Sequence, residues 1–177
     1  MRKKTKVAFL DRDGVINSCK VNRGYICHIK DFKWIKGVKK TIKFLKLNNY
    51  KVIIVTNQSG VARGYFSIDD VYTLHKFLKI ELKKFGTKVD EIFFCPFHKD
   101  GVVKKYKKKS NLRKPGIGMF LKANKIWNVD KKNSFMIGDQ ITDMQFAKKV
   151  GIKGYLFNQK DLYRFIKKIN IPNMKIL

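Results

Sequence analysis

Lys6-Val-Ala-Phe-Leu-Asp11-Arg-Asp13-Gly14-Val-Ile-Asn17 opens the chain with a short apolar run that stops at a carboxylate. The run is too short for the core of a signal peptide and reads as a first strand. Three more apolar, β-branched or aromatic runs follow, each ending in a polar or small-residue loop: Lys51–Val55, Glu91–Phe94 and Ser134–Ile137. Gly154–Phe157 reads as a fifth strand. Helical spacing of apolar residues fills the intervals, at Val38–Leu47, Asp69–Phe85, Ile117–Trp127, Ile141–Val150 and Leu162–Ile169. Ser67 and Asp70 have the spacing of a capping box at the second of these helices. Strands alternating with helices predict an α/β fold, a Rossmann-like three-layer parallel sheet with the first strand central. No internal repeat or low-complexity linker interrupts it, so residues 1–177 are expected to form a single domain without a separate cap.

Composition limits the function classes. A chain of 177 residues that is 44% hydrophobic and 13% aromatic is no disordered polybasic tail. No apolar run approaches the roughly 20 residues of a membrane span. Cys19, Cys27 and Cys95 lack the spacing of a disulfide framework, which fits a reducing cytoplasm. The formal net charge is +28, yet only six of the 41 basic residues are Arg. Base readout and bidentate phosphate grip favour Arg. A Lys excess spread over every segment beside many Ile and Asn fits A-rich codon usage. Its field attracts polyanions, so nucleic acid is expected only through non-specific charge.

In parallel sheets of this kind ligands bind outside the carboxyl ends of the strands. There the chain places Asp11-x-Asp13-Gly14, then Thr56-Asn57-Gln58-Ser59-Gly60, and later Gly138-Asp139-x-x-x-Asp143, with Arg113-Lys114-Pro115 before a helix. Four of the 13 acidic residues fall in two of these segments, whereas solvated surface carboxylates would be scattered. Asp11 and Asp13 at alternate positions can face one cleft, and Asp139 joins them there. Such a hard oxygen set suits Mg²⁺ together with a substrate phosphate. Lys114 would offset the remaining repulsion, and Thr56 and Asn57 offer a hydroxyl and an amide to phosphoryl oxygens.

These four segments resemble the motifs of the haloacid-dehalogenase (HAD) superfamily. Phe9–Asn17, Gly24-Tyr25, Thr56–Gly64, Cys95-Pro96, Arg113-Lys114-Pro115 and Met136–Asp139 further resemble the D-glycero-D-manno-heptose 1,7-bisphosphate 7-phosphatases, over about Val7 to Phe157. Histidinol-phosphate phosphatases and polynucleotide 3′-phosphatases share the Thr-Asn-Gln segment and remain alternatives. So does a phosphate- or nucleic-acid-binding protein without turnover. The resemblance implies that Asp11 is the nucleophile and forms an aspartyl-phosphate, while Asp13 protonates the leaving alkoxide and then activates water. It implies Mg²⁺ on the Asp11 carboxylate, the Asp13 backbone carbonyl and Asp139, with Asp143 supporting the metal shell or Lys114. Thr56, Asn57 and Lys114 would hold the transferring phosphoryl group. Asn22, Arg23, Gly24, Tyr25, Gln58, Ser59 and Arg113 would hold the sugar and its other phosphate. Solvated surface charge is the bland alternative for Arg23 and Arg113. A cytoplasmic monomer serving lipopolysaccharide, capsule or glycoprotein sugar synthesis is the implied setting.

Two departures stand out. Many relatives carry zinc on Cys-x-His and Cys-x-Cys, but here Cys95-Pro-Phe-His98 and Ser110-Asn-Leu112 leave only Cys95 in place. Tetrahedral zinc lacks its ligands, so none is expected. The segment 99–112 must then be ordered by packing of Phe97, Val102, Val103, Tyr106 and Leu112, or be mobile. Its run Lys104–Lys109 reads as solvated surface. The second departure is neutral Gln140 where many relatives have Lys, which leaves substrate identity open. Phe32, Trp34, Trp127, Met119, Met136 and Met144 read as packing residues, and His75 as a surface residue.

Overall fold

The computed structural model describes residues 3–19, 25–169 and 171. Its strands are β1 (Val7–Leu10), β2 (Lys51–Asn57), β3 (Glu91–Cys95), β4 (Phe135–Gly138) and β5 (Lys153–Leu156). They pair in the order β3-β2-β1-β4-β5, all parallel. β1 is central, with Ala8 registered to Val52 on one side and to Phe135 on the other. All four of its residues are buried, which a strand covered on both faces requires. Edge strand β5 is half-exposed and begins at Lys153, a charge that discourages edge-to-edge pairing.

Five helices connect and cover the strands: α1 (Val38–Leu47), α2 (Ile68–Lys84), α3 (Gly118–Trp127), α4 (Ile141–Val150) and α5 (Leu162–Lys168). Strand alternation divides the core. Ala8 and Leu10 pack with Ile42 and Leu45 of α1, Leu74, Leu78 and Leu82 of α2, and Phe165 of α5. Val7 and Phe9 point the other way, to Met119 and Phe120 of α3 and Phe146 of α4. The expected three layers are therefore present. The capping box also forms, with Asp70 N donating to Ser67 Oγ at 3.1 Å and Ser67 N to Asp70 Oδ2 at 2.8 Å. Phe32 stacks edge-on with both Trp34 and Phe77, tying the segment before α1 to α2.

From β1 the chain steps outward to β2 and β3, then crosses back to β4 and β5. The reversal lies between β1 and β4, and a crevice opens there at their carboxyl ends. β2 runs two residues beyond its expected end, because Thr56 and Asn57 pair in register with Phe94 and Cys95. Both polar residues thus leave the sheet as strand residues with fixed backbone.

Candidate active site

The crevice is a cavity of about 420 Å³. Its lining includes Asp11, Asp13, Tyr25, Thr56, Asn57, Ser59, Arg113, Lys114, Asp139 and Asp143, so five separate segments meet there. Cys19, Gln140 and Thr142 complete it. A wider groove of about 670 Å³ lies beside α1 and α2, lined by lysines and Val89, and holds none of these carboxylates. Asn22, Arg23 and Gly24 lie outside the described residues.

Lys114 is the buried cation of the site. Its Nζ lies 2.9 Å from Asp11 Oδ1 and 2.6 Å from Asp143 Oδ1, and it donates to Val55 O at 2.7 Å. Burial alone would lower its pKa, but the two carboxylates outweigh burial and raise it. For Asp11 the balance goes the other way: burial pushes its carboxyl up to about 7, Lys114 pulls it down, and Asp143 and Asp13 add to the rise. Asp139 is also raised, chiefly by burial. Asn57 fixes the backbone of Lys114 by a reciprocal pair, Asn57 Nδ2 to Lys114 O at 3.1 Å and Lys114 N to Asn57 Oδ1 at 3.0 Å.

Asp11, Asp139 and Asp143 each offer an oxygen within 4.8 Å of the others. Asp139 Oδ1 is buried and has no hydrogen-bond partner among the described residues. Gln140 Nε2 donates to Asp139 Oδ2 at 2.9 Å, so this neutral residue holds a carboxylate of the cluster. Three close carboxylates against one ammonium, one with an orphan oxygen, fit a hard divalent cation. The Asp13 carboxylate is not in the cluster. It is turned toward Arg12, so of the expected ligand atoms Asp13 could offer only its backbone carbonyl. Gly14 closes this turn at φ +93°, and a Cβ there would collide with the Asp139 carboxylate.

Gln58 was expected to face the sugar. It is fully buried instead, donating to Asp13 Oδ2 at 2.7 Å and to Thr56 Oγ1 at 2.9 Å. Tyr25 and Ser59 do reach the cavity and hydrogen-bond to each other at 2.8 Å. Arg113 is half-buried, and its Nη1 has no hydrogen-bond partner among the described residues.

Sequence reasoning missed Arg12. It is fully buried and chelates the Asp13 carboxylate through Nε at 3.1 Å and Nη2 at 2.8 and 2.9 Å. No spacing rule gives this position, since Arg12 lies two residues past the end of β1, where strand alternation no longer applies. His75 is likewise no surface residue. It is 6% exposed, and its Nε2 lies 3.2 Å from Arg12 Nη1. Its helix is mixed in polarity, but it sits one position after Leu74, on the side that closes over the end of β1.

The segment 99–112 is held by backbone contacts: Val102 N and Val103 N both donate to Ala62 O, at 2.8 and 3.0 Å. Phe97 and Tyr106 pack against each other, and Leu112 packs on the α3–α4 core, but the Val102 side chain is 77% exposed and contributes through its backbone amide alone. The lysines of Lys104–Lys109 are exposed. His98 Nδ1 accepts from Asp100 N at 3.1 Å, and Cys95 Sγ lies 3.8 Å from Phe97 O.

Residues 6–160 match the family model described as polynucleotide kinase 3 phosphatase. The D-glycero-beta-D-manno-heptose-1,7-bisphosphate 7-phosphatase of Rhodopseudomonas palustris is 44% identical over 164 residues, 93% of this chain and 89% of the relative. The corresponding alpha-anomer enzyme of Campylobacter jejuni is 41% identical over 142 residues, 80% of this chain and 76% of the relative. Among solved structures, the D,D-heptose 1,7-bisphosphate phosphatase of B. bronchiseptica, complexed with magnesium and phosphate, matches with a TM-score of 0.77 at 28% identity, covering 96% of this chain and 90% of that one. A phospho-aspartyl intermediate analogue of phosphoserine phosphatase shares the fold at TM-score 0.59 and 18% identity. With its four strand-end segments gathered in one crevice, the chain belongs to the HAD-superfamily phosphatases of the polynucleotide kinase 3 phosphatase family, and it is a phosphatase.

Proposed function

We propose that the chain removes the 7-phosphate of a D-glycero-D-manno-heptose 1,7-bisphosphate, with Mg²⁺ and through an aspartyl-phosphate. The observation that carries the reading is Asp11, buried at the end of the central strand, with Oδ1 held by Lys114 Nζ at 2.9 Å and by Arg12 N at 2.8 Å. One carboxylate oxygen is thereby oriented, and Oδ2 remains for attack. The relatives that match over nearly the whole chain supply the substrate class.

In the first step an Asp11 oxygen attacks phosphorus, the bond to the sugar oxygen breaks, and the Asp13 carboxyl gives its proton to that oxygen. In the second step water attacks the aspartyl-phosphate, Asp13 takes the water proton, and the bond to Asp11 breaks to release phosphate. Lys114, Thr56 and Asn57 stabilise charge on the transferring group. Asp11, Asp139 and the Asp13 backbone carbonyl would hold the Mg²⁺, with Asp143 bracing Lys114 beside them; the bound ion supplies charge neutralisation between the attacking carboxylate and the phosphate. Tyr25, Ser59 and Arg113 line the part of the cavity where the sugar and its second phosphate would lie. Arg113 brings to that lining a planar guanidinium, the group suited to that phosphate.

The test is phosphate release from heptose 1,7-bisphosphate with and without Mg²⁺, with Asp11→Asn as the blank. Mg²⁺-dependent release by the wild type alone is expected. Failure on the bisphosphate together with turnover of a 3′-phosphorylated oligonucleotide would transfer the assignment to the polynucleotide branch.

A further inference from the structure

We infer that His75, acting through Arg12, is a positioning residue for Asp13: a buried imidazole–guanidinium–carboxylate chain that fixes where the acid–base group points. The inference rests on the reading of Asp13 as that acid and base.

Arg12 has five N–H donors in a rigid fork and no acceptor. In this structure each of its three nitrogens has a partner. Nε and Nη2 hold Asp13, Nη2 also reaches Ile26 O at 2.6 Å and Gln58 Oε1 at 3.1 Å, and Nη1 meets His75 Nε2 at 3.2 Å. Asp13 is held from two further sides, since Asn17 Nδ2 donates to Oδ1 at 2.9 Å and Gln58 Nε2 to Oδ2 at 2.7 Å, while the residue still lines the cavity. A guanidinium cannot accept, so His75 must present the lone pair of Nε2 and carry its proton on Nδ1. Burial first, then the Arg12 and Lys79 cations, push the His75 pKa down to about 3 and keep it in that neutral form. His75 stands on α2, packed against the Phe94 ring at 5.5 Å. A helix on the face of the sheet thus sets one edge of the fork, and the fork sets the carboxylate.

Core filling is the competing explanation. A buried Arg–Asp pair that served only stability would, when disturbed, harm every substrate alike. A positioned acid matters in proportion to the leaving group's need for a proton. The sugar alkoxide needs one, and p-nitrophenolate leaves without help. The two substrates therefore separate the explanations, because kcat/KM reports the step in which the leaving group departs.

The experiment compares kcat/KM on heptose 1,7-bisphosphate and on p-nitrophenyl phosphate for wild type, His75→Leu, His75→Gln and Asp13→Asn, with a thermal unfolding midpoint for each. His75→Leu should lose on the order of tenfold on the bisphosphate, a part of the ~10²–10⁴ that a general acid contributes, and less than about threefold on the nitrophenyl ester. His75→Gln, whose amide oxygen can accept from Arg12 Nη1, should return the ratio of the two losses to within about twofold of wild type. Asp13→Asn should show the same selectivity in larger measure. Equal losses on both substrates, or an unchanged His75→Leu, would overturn the inference. If His75→Leu does not fold, His75→Met replaces it at similar volume and is judged by the same ratio. If the wild type leaves the bisphosphate untouched, the substrate reading falls alone and glycerol 2-phosphate serves as the alkyl ester. If Asp13→Asn shows no selectivity, the role of Asp13 falls, and the inference with it.

Discussion

Replacing Lys114 with Met keeps an unbranched side chain of nearly the same length and deletes its charge. In the native protein this ammonium lies 2.9 Å from Asp11 and 2.6 Å from Asp143, with both carboxylates buried. Removing one partner of a buried ion pair costs about 3–5 kcal/mol, because the remaining charge loses its compensation. Here two carboxylates lose it, and the bond to Val55 O goes as well. A loss of about 4 kcal/mol at pH 8 in the absence of divalent ions is expected. The loss should depend on pH. Asp11 is already pushed up to about 7 with Lys114 in place, and deleting the cation moves it higher. Between its unfolded value of 3.8 and that raised value the native state holds a proton that the unfolded state has released, so stability falls as pH rises through this window. The variant extends the window upward, and its deficit relative to wild type should be smaller at pH 5 than at pH 8. Millimolar Mg²⁺ should restore more stability to the variant than to the wild type, since it replaces a missing positive charge. Urea unfolding followed by far-UV circular dichroism, at both pH values with and without Mg²⁺, gives the four numbers required. A loss below about 1 kcal/mol at pH 8, the range of a surface pair, or a loss of equal size at both pH values, would refute the electrostatic account.

Three further outcomes follow from the site. Asp11 and Asp139 are both raised, so cation binding must displace protons; apparent Mg²⁺ affinity should fall by up to about tenfold per pH unit below pH 7, and calorimetry in buffers of different ionisation enthalpy should show proton release. A flat affinity from pH 5 to pH 8 would contradict this. His75 titrates near 6.5 unfolded and near 3 folded, so its contribution is complete above 6.5 and is lost as pH falls toward 3. Between about pH 7.5 and about pH 5.5 the expected loss is ~1.4 kcal/mol, and His75→Gln should remove that part of the slope in chemical unfolding. Arg113→Met should raise KM for the bisphosphate about tenfold and leave KM for p-nitrophenyl phosphate unchanged, since only the first carries a second phosphate for the guanidinium.

Much of this architecture was legible because buried parallel strands advertise themselves. Val7–Leu10 and Phe135–Gly138 carry no charge, and each is followed at once by a carboxylate of the site, Asp11 or Asp139. The carboxylates could be located because this chain has so few. Features that escaped share a cause: they depend on which way a side chain turns after the strand ends. Asp13 follows Asp11 by two residues, yet it swings to Arg12, and Asp143 takes its expected place in the carboxylate cluster. Gln58 lies between two cavity residues and points inward. His75 looked solvated because its helix is of mixed polarity, and only the packing of α2 shows that it meets a guanidinium. Val102 looked like an anchor, but the segment is fixed by its amides on Ala62 O, which no side-chain pattern records.

The two hydrogen bonds between the Asn57 side-chain amide and the backbone of Lys114 have an evolutionary corollary. They make the position of the ammonium a property of the strand that ends in Asn57, not of the loop that delivers it. Upstream of Arg113 the chain can then drift in length, charge and composition while the reacting centre keeps its register. That loop is accordingly the place where an inserted affinity tag or a grafted recognition segment should be accepted at little catalytic cost.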